Sequence, residues 1–153
     1  MIDMKRILFT ALSLFIAVGL FAQAEAQKEE IIKVIDAAYV QGIHNATDID
    51  NINKGFHPGF NLLGLDKRGN TVSKYPIYDW EANVRKKVDA EQLPTVVTTA
   101  KYPLIDITGH AAVAKVELFR EGKQIYTDYL FLYKFKEGWR IVSKVYYTIP
   151  EEV

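Results

Sequence analysis

The sequence has no cysteine. Disulfides, thiol nucleophiles, cysteine-ligated metals and lipid attachment through an N-terminal cysteine are thereby excluded. Histidine is scarce as well. His44, His57 and His110 stand at no metal-ligand spacing, so neither a metal nor a cofactor is expected. Neither sign of charge is in surplus, with Lys plus Arg and Asp plus Glu both at 19. A neutral chain offers no electrostatic footprint for nucleic acid or an anionic membrane. There is no Gly-rich phosphate loop, nucleophile elbow or Ser-His-Asp order. The one long apolar run is Ile7 to Phe21. At about 15 residues it falls short of the roughly 20 that span a bilayer.

Lys5 and Arg6 precede that run, and the small-x-small sites Ala22-Gln23-Ala24 and Ala24-Glu25-Ala26 follow it. This is the layout of a secretory signal peptide. Residues 1–24 are expected to be removed, with cleavage near 24–26. The mature part, 27–153, is then a single domain, exported to the periplasm or secreted in a bacterial context, with no stable membrane anchor after cleavage.

What the mature chain has in quantity is helix-period and strand-period patterning. Ile31, Ile32, Val34, Ile35, Ala38, Tyr39 and Ile43 stripe a helix from Gln27 to His44. A short helix over Asp48 to Phe56 ends at His57-Pro58, since proline disfavours helix in the residue before it. Phe60 to Leu65 and Thr71 to Tyr75 form a strand pair around the turn Asp66 to Asn70. Pro76 opens a third helix reaching about Asp89. Four strands follow: Val96 to Ile107, His110 to Arg120, Lys123 to Phe135 and Trp139 to Tyr147. Helices gathered on one side of an antiparallel sheet make an α+β domain.

Turn lengths predict a register. A two-residue turn at Glu121-Gly122 pairs Arg120 with Lys123, and a three-residue turn at Lys136-Glu137-Gly138 pairs Phe135 with Trp139. Carried along unbroken strands, these pairings place Ala114, Val116, Thr127, Tyr129, Phe131 and Val145 on the inner face. Tyr126, Asp128, Leu130, Leu132, Lys144 and Tyr146 fall on the outer face. Asp128 then sits in an exposed ion ladder with Lys115 and Lys144.

Tyr39-Val40-Gln41-Gly42, Phe56-His57-Pro58, Tyr126-Thr127-Asp128-Tyr129 and Gly138 to Val145 carry a resemblance to a known family. With the order of elements, they resemble the nuclear transport factor 2-like superfamily. More narrowly, they resemble its bacterial putative lumazine-binding or polyketide-cyclase-like (SnoaL-like) group. The resemblance implies a cone in which a curved antiparallel sheet wraps three N-terminal helices, with a pocket at the wide end. It also implies dimerisation through the outer sheet face, and it spans ligand binders, isomerases, dehydratases, cyclases and interaction modules alike.

The residues on hand suggest an aromatic, mostly uncharged ligand pocket built from Tyr39, His57, Trp80, Tyr102, Thr127 and Tyr129, for a small apolar or aromatic molecule. One alternative is a lyase, isomerase or cyclase with His57 or Asp128 as its acid or base. Another is a non-catalytic dimerisation or interaction module whose cavity is filled by Tyr39 and Trp80. An outer face carrying Leu130, Leu132, Val142, Tyr126 and Tyr146 is the expected homodimer surface.

Overall fold

The structure is a computed structural model that describes residues 22–66 and 68–150. The Lys5-Arg6 pair and the Ile7 to Phe21 run, read above as a signal peptide, lie outside the described residues. Helix α1 is α-helical over residues 22–35 and continues as a π-helix from Asp36 to His44. Then come α2 (Asp50–Gly55), β1 (Phe56–Leu65), β2 (Val72–Pro76), α3 (Ile77–Asp89), β3 (Thr98–Thr108), β4 (Ala111–Arg120), β5 (Lys123–Phe135) and β6 (Gly138–Thr148). The fold is α+β, as expected.

The six strands form one open sheet in the order β2-β1-β6-β5-β4-β3. β1 runs parallel to β6 and every other pairing is antiparallel. The helices cover one face. Ile31, Ile35, Ala38, Tyr39 and Val40 of α1 share a core with Ile52 of α2, Ile77 and Val84 of α3, and Val116, Leu118, Leu130, Leu132 and Ile141 of the sheet. α2 approaches α1 so closely that a Cβ at Gly55 would collide with the Ala38 side chain, so this crossing requires glycine.

Local chemistry explains the joints. Asp66 Oδ1 accepts the backbone N–H groups of Asn70 (2.7 Å) and Thr71 (3.2 Å), closing the β1–β2 turn. Pro76 has φ −69° and ψ 155°, ends β2 and starts α3, a place where its missing N–H costs nothing. Gly122, with φ 78°, completes the two-residue turn between β4 and β5.

The strands are not unbroken, and this overturns the expected faces. Arg120 does pair with Lys123, and Phe119 with Gln124, but Leu118 then pairs with Tyr126. Ile125 is the extra residue of a β-bulge, and one extra residue sends every later side chain of β5 to the opposite face. The β5–β6 turn has two residues, not three, because Phe135 pairs with Gly138. A second bulge, at Val142, lies between the pairs Leu132–Ile141 and Phe131–Ser143. The expected pairings of Phe131 with Ser143 and Tyr129 with Val145 therefore hold, but on the wrong face.

Asp128, Leu130, Leu132 and Lys144 are buried on the inner face, while Tyr129, Phe131 and Tyr133 are 40%, 44% and 53% exposed on the outer one. The Lys134–Trp139 pairing that the shorter turn creates is favourable, since the Lys134 ammonium lies 5.7 Å over the indole. A third irregularity skips Tyr102 and Pro103 of β3. It sits on an edge strand, where a proline without an N–H is tolerated. The turn before β4 is Gly109-His110, with Thr108 paired to Ala111.

Candidate functional site

Two features meet near the β4–β5 end of the sheet: a buried polar cluster and an open cavity. The cluster is built from α1, β5 and β6. Asp128 and Lys144 are 0% and 4% exposed, and the Lys144 Nζ lies 2.9 Å from the Asp128 Oδ1. Tyr39, fully buried on α1, donates its hydroxyl proton to Asp128 Oδ2 at 2.6 Å, and Lys144 in turn donates to the Tyr39 oxygen. Four rings surround the ammonium. Their centroids lie 4.6 Å (Tyr39), 5.2 Å (Tyr146), 5.6 Å (Trp80) and 5.8 Å (Tyr126) from Nζ. Two buried charges are thus neutralised by each other, by one hydroxyl and by four ring quadrupoles.

Burial pulls the Asp128 carboxyl up, against the attraction of Lys144 and the hydrogen bond from Tyr39. Burial likewise pulls the Lys144 ammonium down, against Asp128. The Tyr39 phenol is raised well above its ordinary value, first by burial and then by the charge and hydrogen bond of Asp128, so it stays a proton donor at neutral pH.

The π-helical winding of α1 adds His44. A π-helix bonds residue i to i+5, so residues five apart stack along it. Tyr39 and His44 accordingly meet edge to face at 4.7 Å. On an α-helix they would point about 140° apart. His44 Nε2 is buried and has no hydrogen-bond partner among the described residues. Its pKa is lowered to about 3, by burial first and then by the positive charges of Lys144 and Arg120. The imidazole is therefore neutral at physiological pH.

The open cavity measures about 1050 Å³. Its walls are the β4–β5 hairpin (Arg120, Glu121, Lys123, Gln124, Ile125, Tyr126) and the end of the β6 segment (Thr148, Ile149, Pro150). A backbone bond from Ile149 N–H to the Ile125 carbonyl, 3.0 Å, ties these two walls together. Tyr126 belongs to both features: it lines the cavity and contributes a ring to the Lys144 cage.

The expected site residues separate. Tyr39 and Trp80 do come together, with ring centroids 5.9 Å apart, but as packed core, and neither lines the cavity. Tyr102 is half-buried on β3, its hydroxyl without a partner among the described residues and its pKa raised by burial and the nearby charge of Asp36. Tyr129 and Thr127 are on the outer face, moved there by the Ile125 bulge.

His57 was expected near the mouth. It instead stacks on Phe135 at 4.9 Å, nine residues along β5 from Tyr126, or about 30 Å of strand. Its Nδ1 accepts the Gly59 N–H at 3.0 Å. His44 is half-buried beside the cluster, whereas His110 is exposed in its turn. The inner face also carries a carboxylate and an amine, Asp128 and Lys144, both of which were expected on the outer face. Sequence reasoning missed Lys144 and Arg120 as site residues. The available signal was one acid and one base set in adjacent apolar strands. Among the described residues no group of three His, Asp or Glu is placed to hold a metal ion.

A curved sheet over α1, with a polar cluster and a cavity at one end, defines an α+β cone of the nuclear transport factor 2-like class. The family model described as "Putative lumazine-binding" matches residues 26–147, and the chain belongs to that family. Solved structures agree on the fold. A nuclear transport factor 2-like protein of unknown function from Shewanella baltica is 24% identical, with 82% of this chain and 96% of that one covered and a TM-score of 0.63. One from Silicibacter pomeroyi is 20% identical, with 84% and 98% covered and a TM-score of 0.62. A nuclear transport factor 2-like protein from Cytophaga hutchinsonii is 14% identical, with 80% and 98% covered and a TM-score of 0.58. No curated protein matches this chain at a significant level.

Proposed function

We propose that this is an exported small-molecule-binding protein whose ligand sits in the cavity at the β4–β5 end, against the ring of Tyr126. The observation that carries the reading is a ligand-sized cavity that ends on an aromatic side chain held from beneath by a buried polar cluster. A rigid floor of this kind lowers the ordering cost of binding. The family description names a flat heterocycle, and a flat ring suits a tyrosine wall. Tyr39 and Trp80 fill the space between α1 and the sheet, so the ligand site is at the mouth and not deep in the cone. Export is supported by the signal-peptide layout, and the family match begins at residue 26, at the second Ala-x-Ala site. Native mass spectrometry of protein taken from its own host should find a retained ligand that Tyr126→Ala releases and Tyr129→Ala does not. Ligand-free protein that also ignores a library of flat heterocycles would sink the reading.

One observation favours an enzyme as the second reading: Asp128 faces inward, where an acid or base would have to be. It has no exposed surface and two strong partners, which suits a structural role better. A substrate turned over by the wild type but not by folded Asp128→Asn would move the assignment to an acid–base lyase or isomerase. His57 stands at the far end of β5 and has no part in either reading.

The homodimer reading moves to other residues. Leu130 and Leu132 are core, so the outer face presents Tyr129, Phe131, Tyr133, Val145 and Tyr147, all exposed. That aromatic plate is the surface we assign to a second copy, in keeping with the resembling superfamily.

A further inference from the structure

We propose that the cavity selects an organic anion, a flat ring bearing a carboxylate or sulfonate, and that Arg120 is the group that docks the charge. This rests on the small-molecule reading above and names the ligand class.

The guanidinium is positioned by a buried relay. Asn45, 6% exposed, follows α1 and bonds the first residue of β3 twice: its Nδ2 donates to the Thr98 carbonyl at 3.0 Å, and its Oδ1 accepts the Thr98 N–H at 2.8 Å. Thr98, 1% exposed, then presents Oγ1 to the Arg120 Nε at 3.1 Å. Holding Nε in this way leaves the two terminal nitrogens of the fork for a ligand, and a pre-oriented fork is the geometry that binds a planar anion.

Arg120 has no carboxylate within ion-pairing distance among the described residues. Lys123 lines the same cavity and Glu121 stands between them, so the lining carries two positive charges and one negative. Arg120 and Lys144 also lie near enough to His44 to disfavour a proton there, after the larger effect of burial. The other walls suit a ring: Tyr126, Ile125, Ile149 and Pro150. An anionic head on Arg120 and a flat body against Tyr126 use both halves of the lining.

The test compares two probes that differ by one charge: anilinonaphthalene sulfonate and its uncharged parent, phenylnaphthylamine, titrated by fluorescence against the mature protein. The sulfonate should bind at one site per chain and at least about tenfold tighter than the parent, with affinity that falls as salt rises. Arg120→Gln should cost the sulfonate about tenfold and leave the parent within about twofold. Arg120 is exposed, so this variant should keep its circular dichroism and melting temperature. Thr98→Val, which frees the guanidinium without removing it, should give a smaller loss in the same direction. Equal affinity for the two probes, or a sulfonate that ignores Arg120→Gln, would overturn the anion inference while the binding reading survives. Failure of both probes to bind would overturn both.

Discussion

Asp128 and Lys144 set the energetics at the scale of single residues. A buried ion pair contributes little net stability because desolvation offsets attraction, yet removing one partner strands the other charge. Asp128→Asn should therefore cost about 3–5 kcal/mol in urea unfolding. Asp128→Leu/Lys144→Met should recover most of that loss. A double variant no more stable than the single one would show that the pair itself contributes a large net term. His44 gives a pH prediction. Its folded pKa, about 3, lies below the ordinary 6.5, so between these values the unfolded chain binds the extra proton. This contribution is full above about pH 6.5 and declines as pH falls toward 3, with a slope of up to about 1.4 kcal/mol per pH unit. His44→Gln should flatten that part of the stability profile, and an unchanged profile would place the imidazole in solvent.

Among the elements, β5 decides the molecule. The run Tyr129-Leu130-Phe131-Leu132-Tyr133 is apolar on both faces, so alternation cannot say which face is inward. The Ile125 bulge makes that choice. With Leu132 only 1% exposed, Leu132→Glu would bury an unpaired carboxylate. It should unfold the domain or lower its melting temperature steeply, and not yield a folded monomer. A well-folded Leu132→Glu protein of smaller size would restore the unbroken register and refute the bulge. α1 makes the corresponding choice among the helices. Its switch from α to π winding at Asp36 brings Tyr39 and His44 onto one face, where the cluster needs both.

Taken whole, the molecule is a sheet with one face sheltered by helices and the other left open and aromatic. Tyr129 pairs with Val145, Phe131 with Ser143 and Thr127 with Tyr147, which makes the open face a continuous plate across β5 and β6. Light scattering should find a dimer, and Phe131→Glu should halve the mass without lowering the unfolding temperature by more than a few degrees. A wild type that stays monomeric at high concentration would leave that face without the partner assigned to it.

Strand and helix periods, proline and glycine punctuation and the order of elements were enough to determine the α+β class, the six strands and the three helices, while the family was legible only through the resemblance of particular motifs such as Phe56-His57-Pro58. Local signals carry those features: helix stripes repeat every three to four residues, and turns need particular backbone angles. The site was less legible. Tyr39 and Trp80 were readable as inner aromatics because helix period alone places them. Asp128, Lys144, Tyr129 and Thr127 were not, because their faces depend on one extra residue at Ile125 and another at Val142. No local pattern marks a bulge in a strand that is apolar on both sides, and only packing against α1 discriminates between the two registers. His44 joined the site through the π winding of α1, and Arg120 through its bond to Thr98. Asn45 and Thr98 are 53 positions apart and meet only when α1 lies across the edge of the sheet.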